Sequence, residues 1–401
     1  MARRPGPYKD AAVVKVPGGR RRPAPGAGSG RRELLRLNFR AMDSDVEVLV
    51  EVPPTRYREA RRLLAWTRRW FVLLEHRLSR FRPDSDVSRV NLQAGGGPVR
   101  VTGLTAAVLA RALALSEWSG GLFDPACVTA LKASGYDRPF AQLLKPGAGR
   151  RDEKPGLSRR VGRGLVPGPV PGGCAPSNAG AAAGGPPLPQ PFFGNYRSVV
   201  LNRRAREVML PAGTGLDFGG IAKGWAADVA ARVLGTVGPA LVNVGGDLAA
   251  GTGPQAAGGL WRVAIDGLPG WVLGVARCGV ATSGIDRRRW LRAGREWHHL
   301  LDPRTGLPVQ GGFRRVTAIA PTAAQAEVAA KTVLILGPRQ APGWLRRRPG
   351  VIALAVPEEG RPDDVVVLAS GRDHRLPAAL ALHLPGADGQ RPAGRRAGGR
   401  G

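Results

Sequence analysis

Two adjacent glycines constrain this chain most. The stretch Leu216-Asp217-Phe218-Gly219-Gly220-Ile221-Ala222-Lys223-Gly224 follows a short strand candidate at 207–210. After it Ile221, Trp225, Val229 and Val233 recur every fourth residue, which predicts an apolar stripe on a helix running to about residue 234. The glycine pair is therefore expected at a strand-to-helix corner. Backbone N–H groups at such a corner, with a helix dipole behind them, attract a phosphate or carboxylate, and the missing Cβ atoms let the ligand come close. Asp217 stands just ahead, where a carboxylate can accept hydrogen bonds from a ligand ring or hold a cation. The plainer alternative makes Asp217 an N-cap and the glycines a tight turn.

How much of the chain can build a core around this corner depends on composition. Of 401 residues, 1–32, 145–192 and 385–401 are rich in Arg, Pro and Gly, so they are expected to be a disordered basic leader, a low-complexity insertion and a disordered tail. The folding unit is then 33–144 with 193–384. The net charge of +30 invites a nucleic-acid reading, but lysine is rare and arginine supplies nearly all of the excess, beside abundant Ala, Gly and Pro. Such a bias acts on the whole chain, and the aromatic residues fall on apolar faces rather than on a basic strand surface, so no specific nucleic-acid partner is expected. The basic tails can touch anionic lipid or nucleic acid non-specifically. Cys127, Cys174 and Cys278 are too few and too scattered for a disulfide framework or a zinc site. With neither a signal-peptide pattern nor a transmembrane run, a cytoplasmic protein is expected.

Along the chain, 45–52 alternates as a half-buried strand ended by Pro53-Pro54. Residues 56 to about 80 read as a helix with Leu63, Trp70, Leu74 and Leu78 on one face, stopped by Pro83, and the polar stretch to Asn91 reads as a connection. A second helix spans 104–118. Ala240-Leu241-Val242-Asn243-Val244 is a strand meeting a Gly245-Gly246 bend with Asp247 behind it. Strands are also expected at 261–265, 279–284 and 316–320. His298 and His299, adjacent on an extended segment, point to opposite faces, so only one can serve a given site. Thr322 and Gln325 make a capping box for a helix through 336 that Gly337 and Pro338 end, and on it Glu327 and Lys331 lie side by side at i, i+4. The pattern is α+β, with sheets and helices enclosing an internal cleft.

Taken in order, Ala41-Met42, Phe81-Arg82-Pro83-Asp84-Ser85, Gly121-Leu122-Phe123-Asp124-Pro125 and Asp217-Phe218-Gly219-Gly220-Ile221-Ala222-Lys223-Gly224 resemble the ApbE family, the FAD:protein FMN transferases. Val242-Asn243-Val244-Gly245-Gly246-Asp247, Ala281-Thr282-Ser283-Gly284, His299-Leu300-Leu301-Asp302-Pro303-Arg304-Thr305-Gly306 and Ala320-Pro321-Thr322-Ala323 continue the series over roughly residues 37–370. The resemblance implies an ApbE-like fold with a flavin-binding cleft, FAD as substrate, and transfer of its FMN half to a Thr or Ser hydroxyl of an acceptor protein or redox complex with release of AMP. It implies magnesium at the pyrophosphate. Carried over, Met42, Phe81, Leu122, Phe123, Asp124, Asp217, Lys223 and Leu301 match flavin-dinucleotide contacts, Gly220 offers its carbonyl to the metal, and His299 takes a polar or acid/base role.

Two departures stand out. Where the family places Asp and, four residues on, Thr as metal ligands, this chain has Glu327 and Lys331, while Thr332 is out of phase by about 100° of helix rotation. An ammonium about 4 Å from a divalent cation is repelled by roughly 8 kcal/mol at an effective dielectric of 20. Either Lys331 swings aside from a metal held in part by Glu327, or its charge substitutes for the metal and gives it a catalytic place. Asp43 also follows Met42 where the family prefers Gly, which reshapes the first flavin contact. The alternative function is an FAD-binding relative without transfer activity, accessory to a redox system.

Overall fold

The computed structural model describes residues 32–143, 195–251, 260–268, 271–292, 295–310, 312–359, 364–369 and 380–383. The expected leader (all but residue 32), insertion and tail lie outside them.

β1 (Glu33–Ala41) and β2 (Ser44–Val52) form a hairpin in which Ala41 pairs with Ser44. β1 carries Leu35, Leu37, Phe39 and Ala41 at alternate positions and adds a strand ahead of the one expected. Both turn residues, Met42 and Asp43, are left-handed with φ 54°, the sense of two-residue turn that follows the twist of the strands. α1 (Tyr57–Leu78) buries Ala60, Leu64, Thr67, Phe71, Leu74 and Leu78. The expected stripe is thus rotated, because Leu63 and Trp70 lie half-buried at its margin. The helix ends five residues before Pro83, and the expected polar connection holds α2 (Asp86–Leu92), whose first turn is capped by the Ser85 hydroxyl accepting from the Ser88 amide at 2.9 Å.

β3 (Val99–Arg100) leads to α3 (Gly103–Ser119), which Gly120 closes at φ 76°. Short helices α4 (Val128–Ala133) and α5 (Phe140–Leu143) follow, then β4 (Val200–Asn202) and β5 (Glu207–Met209), which join β3 in a small sheet of order β3-β5-β4. α6 (Ala222–Leu234) has the expected extent but not the expected face. It buries Ala222, Gly224, Ala226, Ala227, Ala230, Ala231 and Leu234, and of the expected stripe Ile221 is buried just ahead of the helix whereas Trp225, Val229 and Val233 are only half-buried. Small residues win this face because another helix and a sheet both press against it.

The remaining elements are β6 (Ala240–Val244), β7 (Asp247–Ala250), β8 (Trp261–Ala264), β9 (Val272–Val275), β10 (Gly279–Gly284), β11 (Arg289–Arg292), β12 (Arg295–His298), β13 (Phe313–Ala320), α7 (Ala323–Leu345), β14 (Ile352–Pro357), β15 (Val366–Ala369) and β16 (Leu380–His383). The expected helix end at Gly337 is a break, at φ 64° and ψ −175°, after which a second helical piece resumes to Leu345.

The frame is one antiparallel sheet of order β1-β2-β6-β7-β10-β13-β14-β15. Strand alternation sorts its two faces. Val46, Val48, Val50, Val242 and Val244 pack toward α1, α3 and α6, and Ala281, Val316, Ala318, Ala353 and Ala355 pack toward α7. On the opposite face Leu49, Leu241, Val280, Ile319 and Leu354 meet Val263, Leu273 and Val275 from the sheet β16-β9-β8. The fold is α+β in layers, as the sequence predicts. Among the described residues no helix is long and apolar enough to cross a membrane.

Candidate active site

The glycine stretch does not sit at a simple strand-to-helix corner. β5 ends at Met209, and the intervening loop is zipped onto two other segments. The Asn91 side chain of α2 donates to the Leu216 carbonyl at 2.9 Å and accepts from the Leu216 amide at 2.6 Å. Asp217 donates its amide to the Pro125 carbonyl at 2.8 Å, and Val128 donates to Gly215 at 3.2 Å. Thus the three motifs at 81–91, 121–128 and 216–224 become one surface.

Asp217 is not the N-cap of α6, whose cap position is Ile221 with no side-chain bond. Its Oδ1 instead accepts from the Gly219 amide at 2.6 Å and its Oδ2 from Arg80 Nε at 2.5 Å. Arg80, only 4 % exposed in its side chain, also donates to the Tyr136 carbonyl at 2.7 Å and lies over the rings of Phe81 and Tyr136, 4.1 and 5.0 Å from their centroids. Trp290 of β11 packs on Tyr136 with centroids 5.7 Å apart. The half-exposed Phe81 therefore borders an aromatic shelf held by a buried ion pair, a surface suited to a flat ring system.

Beside this shelf lies a charged cluster. Lys223 on α6 pairs with Asp247 behind the Gly245-Gly246 bend. Its ammonium is also 3.8 Å from Glu327 Oε1, and the ammonium of Lys331 is 3.2 Å from that same oxygen. The other oxygen, Glu327 Oε2, accepts from the Gly224 amide at 3.0 Å, in the first turn of α6 where the helix dipole favours an anion. Burial pushes the Glu327 carboxyl up, but Lys331, Lys223 and the Gly224 N–H pull it further down, so it is ionised. Burial also opposes the charge on Lys223, and Asp247 and Glu327 overcome it, raising the amine. Burial raises Asp247 itself, offset in part by Lys223.

The approach of Lys331 depends on Gly220. A Cβ there would lie 3.0 Å from the Phe123 ring edge and 3.4 Å from Lys331 Cε, so any side chain would push one of them away. Gly224 has less clearance still, since a Cβ would lie 2.7 Å from the Ala323 carbonyl at the start of α7. The Asp228 carboxylate of α6 grips the same helix start, accepting from the Ala323 and Ala324 amides at 2.7 and 3.0 Å.

His299 brings a third element. Its Nδ1 is buried without a hydrogen-bond partner, and burial together with the charges of Arg288, Lys331, His298 and Lys223 holds the ring well below the ordinary 6.5. It is a neutral imidazole at pH 7. His298 points elsewhere, its Nε2 against the Val309 carbonyl at 3.1 Å, so the two histidines divide as alternation predicts. Arg288 is half-buried and left-handed at φ 49°, and among the described residues no carboxylate pairs with it.

The structure thus brings Phe123, Gly220, Lys223, Glu327, Lys331 and His299 to one place, with Asp217 and Phe81 alongside. Asp124 is spent locally: its oxygens accept from the Ala126 amide at 2.7 Å and the Tyr196 amide at 3.0 Å, and burial raises its carboxyl. Met42 occupies the β1–β2 turn and donates its amide to Glu75 at 3.0 Å. Leu122 is buried ahead of Phe123, and Leu301 is half-buried in a bridge to Pro308. Sequence reasoning missed Arg80, Tyr136, Trp290 and Arg288, and it noted Asp247 without assigning it. Only Asp247, behind a Gly-Gly bend, left a local signal.

The residues do not fit a divalent cation. Magnesium asks for six oxygen ligands, whereas both oxygens of Glu327 are engaged by two ammonium groups and an amide, and Asp247 by Lys223. Among the described residues no group of three or more His, Cys, Asp or Glu is placed to hold a metal.

Residues 42–355 match the model of the ApbE family. The chain belongs to that family. The FAD:protein FMN transferase of Treponema pallidum is 32% identical over 309 residues, covering 71% of this chain and 75% of its own. The crystal structure of the ApbE protein of Thermotoga maritima superposes with a TM-score of 0.62 at 22% identity, covering 84% of this chain and 97% of that one. The apo flavinyl transferase ApbE of Pseudomonas stutzeri does so at 0.61 and 23%, covering 84% and 95%. The two solved structures bear on the fold alone, which they share.

Proposed function

We propose that this protein is an FAD:protein FMN transferase, moving the FMN half of FAD to a Ser or Thr hydroxyl of an acceptor protein. The new bond joins the acceptor oxygen to the FMN-side phosphorus, the pyrophosphate P–O bond breaks, and AMP leaves with the electron pair. Phosphoryl transfer asks little covalent work of the protein and much positioning and charge neutralisation. The observation that carries the reading is the convergence of the Lys223 and Lys331 ammonium groups on Glu327 near Gly220, within electrostatic reach of the neutral His299 imidazole and of Arg288, which no carboxylate pairs among the described residues, next to the shelf of Phe81 and Tyr136.

On this reading the shelf and Phe123 hold the isoalloxazine side, while Lys223, Lys331 and Arg288 face the phosphates. His299 Nδ1, neutral and without a partner, is the atom able to take the proton of the attacking hydroxyl. The acceptor is a protein or redox complex, and the scarce, scattered cysteines suit a cytoplasmic setting. Mixing the purified protein with FAD and an acceptor domain should release AMP and leave flavin fluorescence on the denatured acceptor band. Bound FAD with no AMP above background would leave only the accessory, non-transferring alternative.

A further inference from the structure

We propose that Lys331 acts as a tethered cation in place of a divalent metal, so that this chain holds the pyrophosphate bridge of FAD without magnesium. The inference rests on the flavin reading above and concerns the same site. Three observations carry it. The Glu327 carboxylate, at the position that the family resemblance gives to a metal ligand, has one oxygen between two ammonium groups at 3.2 and 3.8 Å and the other on the Gly224 amide. A cation entering that position would have to displace Lys331, whose charge it would then meet at close range. Second, Lys331 Cε reaches to within 3.4 Å of where a Cβ of Gly220 would stand, so the ammonium stem lies against the backbone that faces the ligand. Third, Arg288 has no carboxylate partner among the described residues, yet its charge is felt by both Lys223 and His299. The cluster therefore holds three cations against the two carboxylates Asp247 and Glu327 before any ligand arrives, an excess that an anionic bridge would neutralise. A lysine ammonium is a compact point charge with three donors, able to serve a phosphate oxygen and Glu327 together.

The test is flavin binding by the full-length protein, read from quenching of flavin fluorescence, with EDTA and then with millimolar magnesium. The wild type should bind FAD with affinities that differ by at most about twofold between the two. Lys331→Met should weaken FAD about tenfold or more while riboflavin, which lacks phosphate, binds as before. Glu327→Asp combined with Lys331→Thr should make FAD binding depend on magnesium, gaining about tenfold or more when it is added. A wild-type protein that itself needs magnesium overturns the proposal, as does a Lys331→Met variant that loses riboflavin and FAD equally, or a double variant indifferent to the metal. Failure of the wild type to bind any flavin would sink the function reading and this inference with it. That result is distinct from the others because riboflavin binding is lost as well.

Discussion

Asp86 and Glu327 are both buried carboxylates, at 0 % and 1 % exposure, yet their surroundings differ in kind. Asp86 Oδ2 accepts from the Thr102 amide at 2.8 Å, the Thr102 hydroxyl at 2.6 Å and the Thr105 hydroxyl at 2.7 Å, and Oδ1 accepts from Arg89 at 2.6 Å. Most of these donors are fixed by the start of α3, so the acid knots α2 to α3 and has no unfilled direction. Glu327 has a single backbone donor. Its other partners are the ends of two flexible chains that can also turn toward a ligand. Burial with fixed donors builds architecture, while burial with swinging cations leaves charge available for chemistry.

Asp86→Ala tests the first half of that contrast and should have the largest effect on folding. Deleting an acceptor that serves the Thr102 amide and the Thr102 and Thr105 hydroxyls, and that leaves the Arg89 guanidinium without its buried partner, should cost about 3 kcal/mol in urea denaturation. Flavin affinity per folded molecule should be unchanged, and a parallel loss of flavin would erase the distinction. The pH dependence has a definite sign. Burial pushes Asp86 up, but the two threonines and Arg89 bring it below 3.8, so its contribution is complete above that value and disappears as pH falls through the lower folded-state value. The variant should therefore show a flatter stability curve on the acid side.

Asp217→Ala belongs between the two cases. Its carboxylate holds both the Gly219 amide and the nearly buried Arg80, so stability should fall by about 2 kcal/mol, more than the roughly 1 kcal/mol of a lost helix cap. Flavin retention should be lost with the shelf, which equilibrium dialysis against FAD would read. Retention at wild-type affinity would make the ion pair purely architectural.

The smallest effect sharpens the charged side. His299 titrates well below 6.5 when folded, so the unfolded chain binds more protons in the interval beneath 6.5, and stability falls as pH drops through it. His299→Gln should flatten the fall in unfolding free energy between pH 6.5 and 5 by roughly 1 kcal/mol, read from urea denaturation at each pH. An unchanged slope would mean that the ring is already charged in the folded protein.

The legibility of these regions from sequence follows the same division. Local relations were readable: the alternation of β2, the Thr322–Gln325 cap, the opposite facing of His298 and His299, and the Glu327–Lys331 spacing, realised at 3.2 Å. The buried face of α6 was misread because large apolar residues draw the eye, whereas close packing selects alanine and glycine. α2 was missed because its buried residues are few and its cap lies in a polar stretch behind Pro83. The pairings Lys223 with Asp247 and Arg80 with Asp217, 24 and 137 residues apart, depend on sheet order and loop docking, which leave no periodic trace in the chain.

The grip of Asp228 on the head of α7, with Gly224 flush against the same backbone, has a consequence for how substrate arrives. Those two helices are bolted at the point where their reactive side chains emerge, so parting them cannot open a doorway. Substrate and product must then pass while α6 and α7 stay joined, so the spacing of the groups they carry is held through turnover.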